Sequence, residues 1–223
     1  AIGVQALYAQ NPSGNADMHN TAVGYTAGAA VTTGVRNTLI GGLSGDAITT
    51  ASYNTALGYA SLGTTTTGTL NVAVGDNALT VNTTGASNVA VGQAALGSNT
   101  TASNNTALGY SALNANSTGA QNIAIGAYAL DANTTATYNT AIGYNAGTAN
   151  TTGGDNVAVG GLSFVANTTG GSNTALGYNS LAANTTASNN TALGNSALAA
   201  NTTGAQMTAV GTLALAASTT ATG

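Results

Sequence analysis

A glycine returns every 17 residues along almost the whole of this 223-residue chain. It closes a short motif of Asn, a β-branched residue, Ala and an aliphatic residue, with few exceptions. A spacing this strict constrains the fold strongly, because short identical units bury their apolar sides only by stacking on one another. The repeat glycines are Gly24, Gly41, Gly58, Gly75, Gly92, Gly109, Gly126, Gly143, Gly160, Gly177, Gly194 and Gly211.

We number the repeat from its Asn as columns one to seventeen, and call the twelve copies coils 1 to 12, from residues 20–36 to residues 207–223. Column three is Ala except at Leu39, and columns thirteen and fourteen are Thr-Thr except at Ser117. An earlier copy at residues 1–3 lies four residues too far from coil 1. We therefore expect a first partial coil plus an inserted loop (11–19) in residues 1–19, and one continuous solenoid of twelve regular coils in residues 20–223.

The repeat predicts strands rather than helices. The glycine and the Asn-Thr-Thr segment leave about nine residues between them, which is too short for a stable helix. Columns two and four are β-branched or aliphatic around a small residue, which is strand alternation. Stacking of each coil on the last through parallel pairing, at about 4.8 Å, gives an all-β parallel solenoid of about thirteen coils and a rod of roughly 55 Å.

The alternation also predicts which side chains face inward. We expect columns two and four to fill the interior, where each buried Val, Leu or Ile contributes about 1.5–3 kcal/mol. Column three would then face outward, and its restriction to Ala suggests a tightly packed neighbour. That neighbour is either another chain, which we favour and which implies a homotrimer, or the far wall of the roll. The glycine fits a corner with positive φ or close backbone approach, and stacked Asn amides can bond along the axis.

Composition excludes several functions. Charged residues make up 3% of the chain, Lys is absent and Arg36 is the one fixed cation, so neither nucleic acid nor anionic lipid is expected as a partner. No cysteine is present for disulfides or thiolate metal sites, and no run of about 18 apolar residues is long enough to span a membrane. A surface of Asn, Thr and Ser favours an extracellular, cell-surface or virion location.

Candidate chemistry is sparse. His19 follows Asp17 and Met18, but a metal or acid–base site needs further groups at fixed geometry, so we interpret it as a solvated loop residue. The acids occupy different columns without an obvious partner. We predict no catalytic residue, cofactor or metal, and no enzyme. The acids are Asp17, Asp46, Asp76, Asp131 and Asp155.

Two threonine- and asparagine-containing features have a second interpretation. The Thr-Thr columns suggest ice binding, although adjacent strand residues face opposite sides. Eight asparagines of column twelve lie in N-[TS]-T sequons, which we interpret as turn chemistry copied with the repeat. They are Asn82, Asn99, Asn116, Asn133, Asn150, Asn167, Asn184 and Asn201.

Five tyrosines share column six, immediately after the glycine. They form either an outward stripe whose aromatic faces suit carbohydrate or a contact at a subunit seam, and we favour the seam. They are Tyr25, Tyr59, Tyr110, Tyr144 and Tyr178.

The phrases NVAVG at 71–75, 88–92 and 156–160, NIAIG at 122–126 and NTALG resemble the head repeats of trimeric autotransporter adhesins. The whole unit, N-T-A-L-G-Y-x-A-L-x-A-N-T-T-G, also resembles repeats in trimeric tail fibres of bacteriophages. The resemblance implies a left-handed parallel β-roll, three chains side by side, and a stiff exposed rod. The adhesin repeat is nearer 14 residues, so a longer turn is expected here.

These features predict a structural or adhesive fibre segment that associates with itself and contacts host-surface carbohydrate or protein. A second hypothesis is a self-assembling extracellular filament with end-to-end stacking. It arises because neither end of the sequence carries a capping segment, so that the chain is a piece of something longer or stacks on copies of itself. Ice binding is the third hypothesis.

Overall fold

The computed structural model describes residues 1–10 and 17–220. Twelve three-residue strands lie in these ranges, all parallel to their partners, with no helix among the described residues. The strands are β1 (Thr21–Val23), β2 (Thr38–Ile40), β3 (Thr55–Leu57), β4 (Val72–Val74), β5 (Val89–Val91), β6 (Thr106–Leu108), β7 (Ile123–Ile125), β8 (Thr140–Ile142), β9 (Val157–Val159), β10 (Thr174–Leu176), β11 (Thr191–Leu193) and β12 (Thr208–Val210).

The chain divides into two compact units, Ala1–Tyr110 and Ser111–Gly223. The first contains β1 to β6 and the second β7 to β12, each in chain order. Within each unit, the residues paired between neighbouring strands are 17 positions apart, as Thr55 with Val72 and Val157 with Thr174. The prediction of an all-β parallel solenoid with one 17-residue coil per strand is confirmed. Continuity of the stack from one unit to the next and its left-handedness stay predictions.

The first partial coil stacks as expected. Ile2 forms an isolated parallel bridge with Val23. At the other end of the predicted loop, the Arg36 amide donates to the Met18 carbonyl, as the Tyr53 amide does to Val35 one coil later. The regular pattern is therefore resumed at Met18, while the remainder of the predicted loop, residues 11–16 with Pro12, lies outside the described residues.

The strand orientation predicted from the sequence is wrong. The alanines of column three are buried, as at Ala22 and Ala124, whereas columns two and four lie on the outer side, where Ile123 is 40% and Leu57 is 45% exposed. The larger aliphatic side chains thus face away from the interior. Since column three faces the far wall of its own roll, its restriction to Ala does not indicate a neighbouring chain.

Column nine explains why the interior takes alanine at column three. Leucines of column nine, such as Leu79 and Leu198, are fully buried. Column nine lies opposite column three, since a Cβ built on Gly45 would lie 2.8 Å from Leu39 Cδ2. A leucine from one wall therefore packs over an alanine from the other, and the exceptional Leu39 faces a glycine instead.

The turn between columns five and twelve alternates two kinds of backbone hydrogen bond. Amides of even columns donate within the coil, as Ala129 to Gly126 and Asn133 to Leu130. Amides of odd columns donate to neighbouring coils, as Leu130 to Ala146. Columns seven and nine take positive φ even where they carry non-glycine residues, Leu130 at 49° among them. The sequence gave no indication of this, because leucine rarely adopts left-handed geometry.

Candidate functional site: the exposed columns

Two asparagine ladders occupy the interior and leave no asparagine of these columns free for chemistry. In column one, Asn37 Oδ1 accepts from the Asn54 backbone amide at 3.0 Å, while Asn37 Nδ2 donates to the Ala51 carbonyl at 2.9 Å. In column twelve, Asn99 Nδ2 donates to Asn82 Oδ1 at 2.9 Å. Each side chain therefore bonds one coil to the next and closes its own turn, which confirms the predicted amide ladder.

Burial of column twelve also determines the fate of the eight sequons. All eight asparagines are buried, and Asn133 Nδ2 donates both to Asn116 Oδ1 and to the Ala136 carbonyl. A glycan on such a nitrogen has no room and removes a donor from two bonds. The folded chain does not accommodate glycosylation at these positions.

The repeat glycines meet both conditions that the sequence suggested. Those of column five have φ between 122° and 141°. A Cβ on Gly160 would lie 2.6 Å from the Gly177 carbonyl carbon of the next coil, nearer than any real Cβ contact. They are structural residues and carry no site.

The two threonine columns differ in role. In column thirteen, the Thr83 hydroxyl donates to the Thr100 carbonyl at 3.0 Å, and the Thr151 hydroxyl donates to Thr168 in the same way. Column fourteen is exposed along the described chain. Since only one of the two columns presents its hydroxyls to water, the structure offers no paired threonine array, and we do not carry the ice-binding hypothesis forward.

The column-six tyrosines are all on the surface, with exposed fractions between 47% and 61%. Glycines of the same column make room for two of them, because a Cβ on Gly42 would lie 3.6 Å from Tyr59 and one on Gly161 would lie 3.7 Å from Tyr178. Tyr144 also packs edge-on against Tyr128, with ring centroids 6.4 Å apart. The rings thus lie along the outer surface, as the sequence suggested.

Column seventeen is a second exposed and variable column. The Arg36 guanidinium lies over the Tyr53 ring at 5.4 Å and donates to its hydroxyl at 2.9 Å. His19 belongs to this column, because it is exposed and has the positive φ of 49° that column seventeen adopts in later coils. Among residues 1–10 and 17–220, no group of three or more His, Cys, Asp or Glu side chains is arranged to hold a metal.

Two carboxyls of column ten are partly buried. Burial raises the pKa of Asp131 above its ordinary value, and burial likewise raises the pKa of Asp46, opposed there by hydrogen bonds from backbone amides of Asp46 and Ala47. The described part of the chain contains no helix long and apolar enough to cross a membrane.

The outer side of the strands is the surface that sequence reasoning missed. Columns two and four contain only Thr, Val, Ile and Leu in all twelve coils, and we call this surface the strand face. The column-six tyrosines follow it directly in each coil, across the glycine. The signal for it was the alanine of column three, since the smallest side chain marks the narrowest part of the interior.

The fold and its columns define an all-β solenoid repeat protein. Comparison of the chain with known proteins found no matching family model, no matching curated protein and no matching solved structure.

Proposed function

We propose that the chain is a segment of an extracellular structural or adhesive fibre, either an adhesin head or a tail-fibre shaft. The observation that carries the proposal is a division between constant and variable columns. The interior columns hardly change from coil to coil, whereas exposed columns six and seventeen carry residues as different as Tyr59, Asp76, Arg36 and Ser172. A constant interior below a variable surface suits a scaffold that presents side chains to a partner.

The interior supports this role because it holds itself together. Within the described ranges, every buried side-chain nitrogen or oxygen has a hydrogen-bond partner. The stack depends on neutral amides and hydroxyls, so changes in external salt act on it weakly. The proposed role is accordingly structural rather than enzymatic, at a cell or virion surface.

The proposed partners are other copies of the chain, as a homotrimer, and a host-surface carbohydrate or protein. Aromatic residues with one polar end are favoured at interfaces, and the exposed tyrosine column provides five of them. These rings are the proposed contact residues, at a subunit seam or on a ligand.

Immunogold electron microscopy with antibodies against the chain, on the cells or virions that produce it, tests the location. Labelling of fibres or of the outer surface supports the proposal. Labelling confined to the cytoplasm contradicts it.

As the alternative, we propose a filament subunit that stacks end to end. The observation that favours it is at β12, where no further coil lies on the last turn. Leu215 occupies column nine, which is buried at Leu198, yet it is 53% exposed. Negative-stain electron microscopy of the purified chain separates the two ideas, since indefinite polymers favour the filament and discrete particles favour the fibre segment.

A further inference from the structure

The strand face is an apolar surface without a partner in the single chain. Its exposed members include Leu108 at 46%, Leu176 at 41% and Val157 at 38%. None of its twenty-four positions carries a charge, because columns two and four are Thr, Val, Ile or Leu throughout. Extended apolar patches of this kind mark interaction surfaces in soluble proteins.

The pairing of the strands makes the bare surface more informative. Parallel sheets occur almost only with both faces covered. Here the inner face, the alanine column, is covered by column-nine leucines such as Leu181. The outer face has no corresponding layer within the described residues, so a layer from outside the chain is required to complete the arrangement.

The spacing of the face restricts what that layer can be. Within each unit the same apolar pair recurs on six successive strands, about 4.8 Å apart. A surface with the same axial repeat, apolar and uncharged along its length, fits it coil by coil. The strand face of a second copy has this repeat by construction.

The available area agrees with this partner. Six strands at about 4.8 Å and a width of about 10–15 Å give roughly 300–400 Å² in each unit. The two units of one chain together approach the roughly 800 Å² per partner of a standard stable interface. The charged residues of exposed columns, Arg36, Asp76 and Asp155, all lie outside columns two and four.

We propose that the strand face is the lateral interface between copies of this chain. This deepens the proposed function and rests on the self-association included in it. The interface is formed by columns two and four, with the column-six tyrosines along one border, and it excludes the alanine column to which the sequence had assigned this contact.

Analytical ultracentrifugation over a range of concentrations tests the interface. Leu176→Lys and Val159→Lys place a charge on the strand face at half-exposed positions, and Ser172→Lys and Gln206→Lys place one on exposed column seventeen as matched controls. We expect each strand-face variant to associate at least about tenfold more weakly, because an unpaired charge would be buried. The control variants should associate like the parent chain, and far-UV circular dichroism should be unchanged in all four.

A second measurement does not depend on the stability of the lysine variants. Because the chain has no cysteine, Leu176→Cys and Ser172→Cys each introduce one thiol. Maleimide labelling at Leu176→Cys should slow severalfold as concentration rises through the association range, whereas labelling at Ser172→Cys should not change.

Three outcomes overturn the inference: a parent chain that is monomeric at all concentrations, association unaffected by strand-face lysines, or equal loss in the column-seventeen controls. A purely cytoplasmic location in the immunogold experiment contradicts the fibre role instead. The two failures are therefore distinguishable.

Discussion

At the scale of single residues, the column-five glycines are the least replaceable positions, and Gly160 and Gly161 form a natural pair for testing this. Gly160 has a φ of 129° and no room for a Cβ, whereas a Cβ on Gly161 would make ordinary contact at 3.7 Å. We expect Gly160→Ala to lower the free energy of unfolding by at least about 1–3 kcal/mol and Gly161→Ala to change it little. Urea titration of both variants measures the difference; equal effects would contradict the assigned backbone.

The buried asparagines should matter through the groups that they satisfy. Asn139 Oδ1 accepts from the Asn156 backbone amide at 3.0 Å, and Asn139 Nδ2 donates to the Gly153 carbonyl. Asn139→Ala leaves both partners buried without a bond, so we expect a loss of about 1–3 kcal/mol of unfolding free energy. Asn195→Ala, on exposed column six, is the control and should be nearly neutral in the same titration. A neutral Asn139→Ala would show that the ladder does not stabilise the stack.

The partly buried carboxyl of Asp131 should make stability depend on pH. Since burial raises its folded pKa, the folded state holds the proton more tightly than the unfolded state. Stability should therefore fall as pH rises from the unfolded pKa through the folded one. Asp131→Asn removes this term, and Asn fits column ten because Asn114 occupies it in coil 6. We expect the variant to gain stability relative to the parent at pH 7 and not at pH 3, in unfolding measurements at both values. A gain of equal size at both values would contradict the assignment.

At the scale of the coil, the packing of column three against column nine leads to a prediction about volume. Leu39 is accommodated because glycine occupies column nine in its own coil and in the preceding one, where a Cβ on Gly28 or Gly45 would lie 2.7–2.8 Å from it. Ala192→Leu alone should therefore overpack the interior and cost about 1–3 kcal/mol.

The same leucine should become favourable when its space is provided. Adding Ala192→Leu to a variant that carries Leu181→Gly and Leu198→Gly should raise the unfolding free energy, reversing the sign of the single substitution, since the three sites share one space. Chemical denaturation of the four proteins measures this coupling. An additive result would contradict the opposition of columns three and nine.

How much of the coil was predictable follows from these same residues. Spacing alone predicted the parallel stack, the glycine corner and the amide ladder, because each depends on identical positions lying over one another. Orientation was not predictable from apolarity, because both sides of the three-residue strand are apolar. The deciding quantity was interior width, and this depends on Leu62 and its column-nine equivalents, whose positive φ no sequence pattern indicated.

For the candidate site, the sequence correctly placed the tyrosines on the surface and left the strand face unnoticed. Tyr25 and Tyr178 follow a glycine corner, so their exposure follows from the strand ending there. The strand face was assigned to the interior because aliphatic side chains are usually buried. A surface that is apolar in the single chain is recognised only once the coil is seen to be full without it.

At the scale of the whole molecule, the central claim is that each 17 residues advance the chain by one strand spacing along an axis. Column seventeen of the second unit allows this to be measured directly, because Gln121, Tyr138 and Gln206 are exposed and of one kind of site. The chain has no cysteine, so pairs of introduced cysteines can be spin-labelled without a background. Dilution with unlabelled chain removes distances between copies.

Pulsed electron–electron resonance on these pairs is the most direct measurement. The stack predicts about 24 Å between labels at Gln121→Cys and Gln206→Cys, five coils apart, and about 19 Å between Tyr138→Cys and Gln206→Cys, four coils apart. The separation should thus fall by about 4.8 Å for each 17 residues removed. Separations that do not shorten in such steps would contradict the stacked solenoid and everything inferred from its columns.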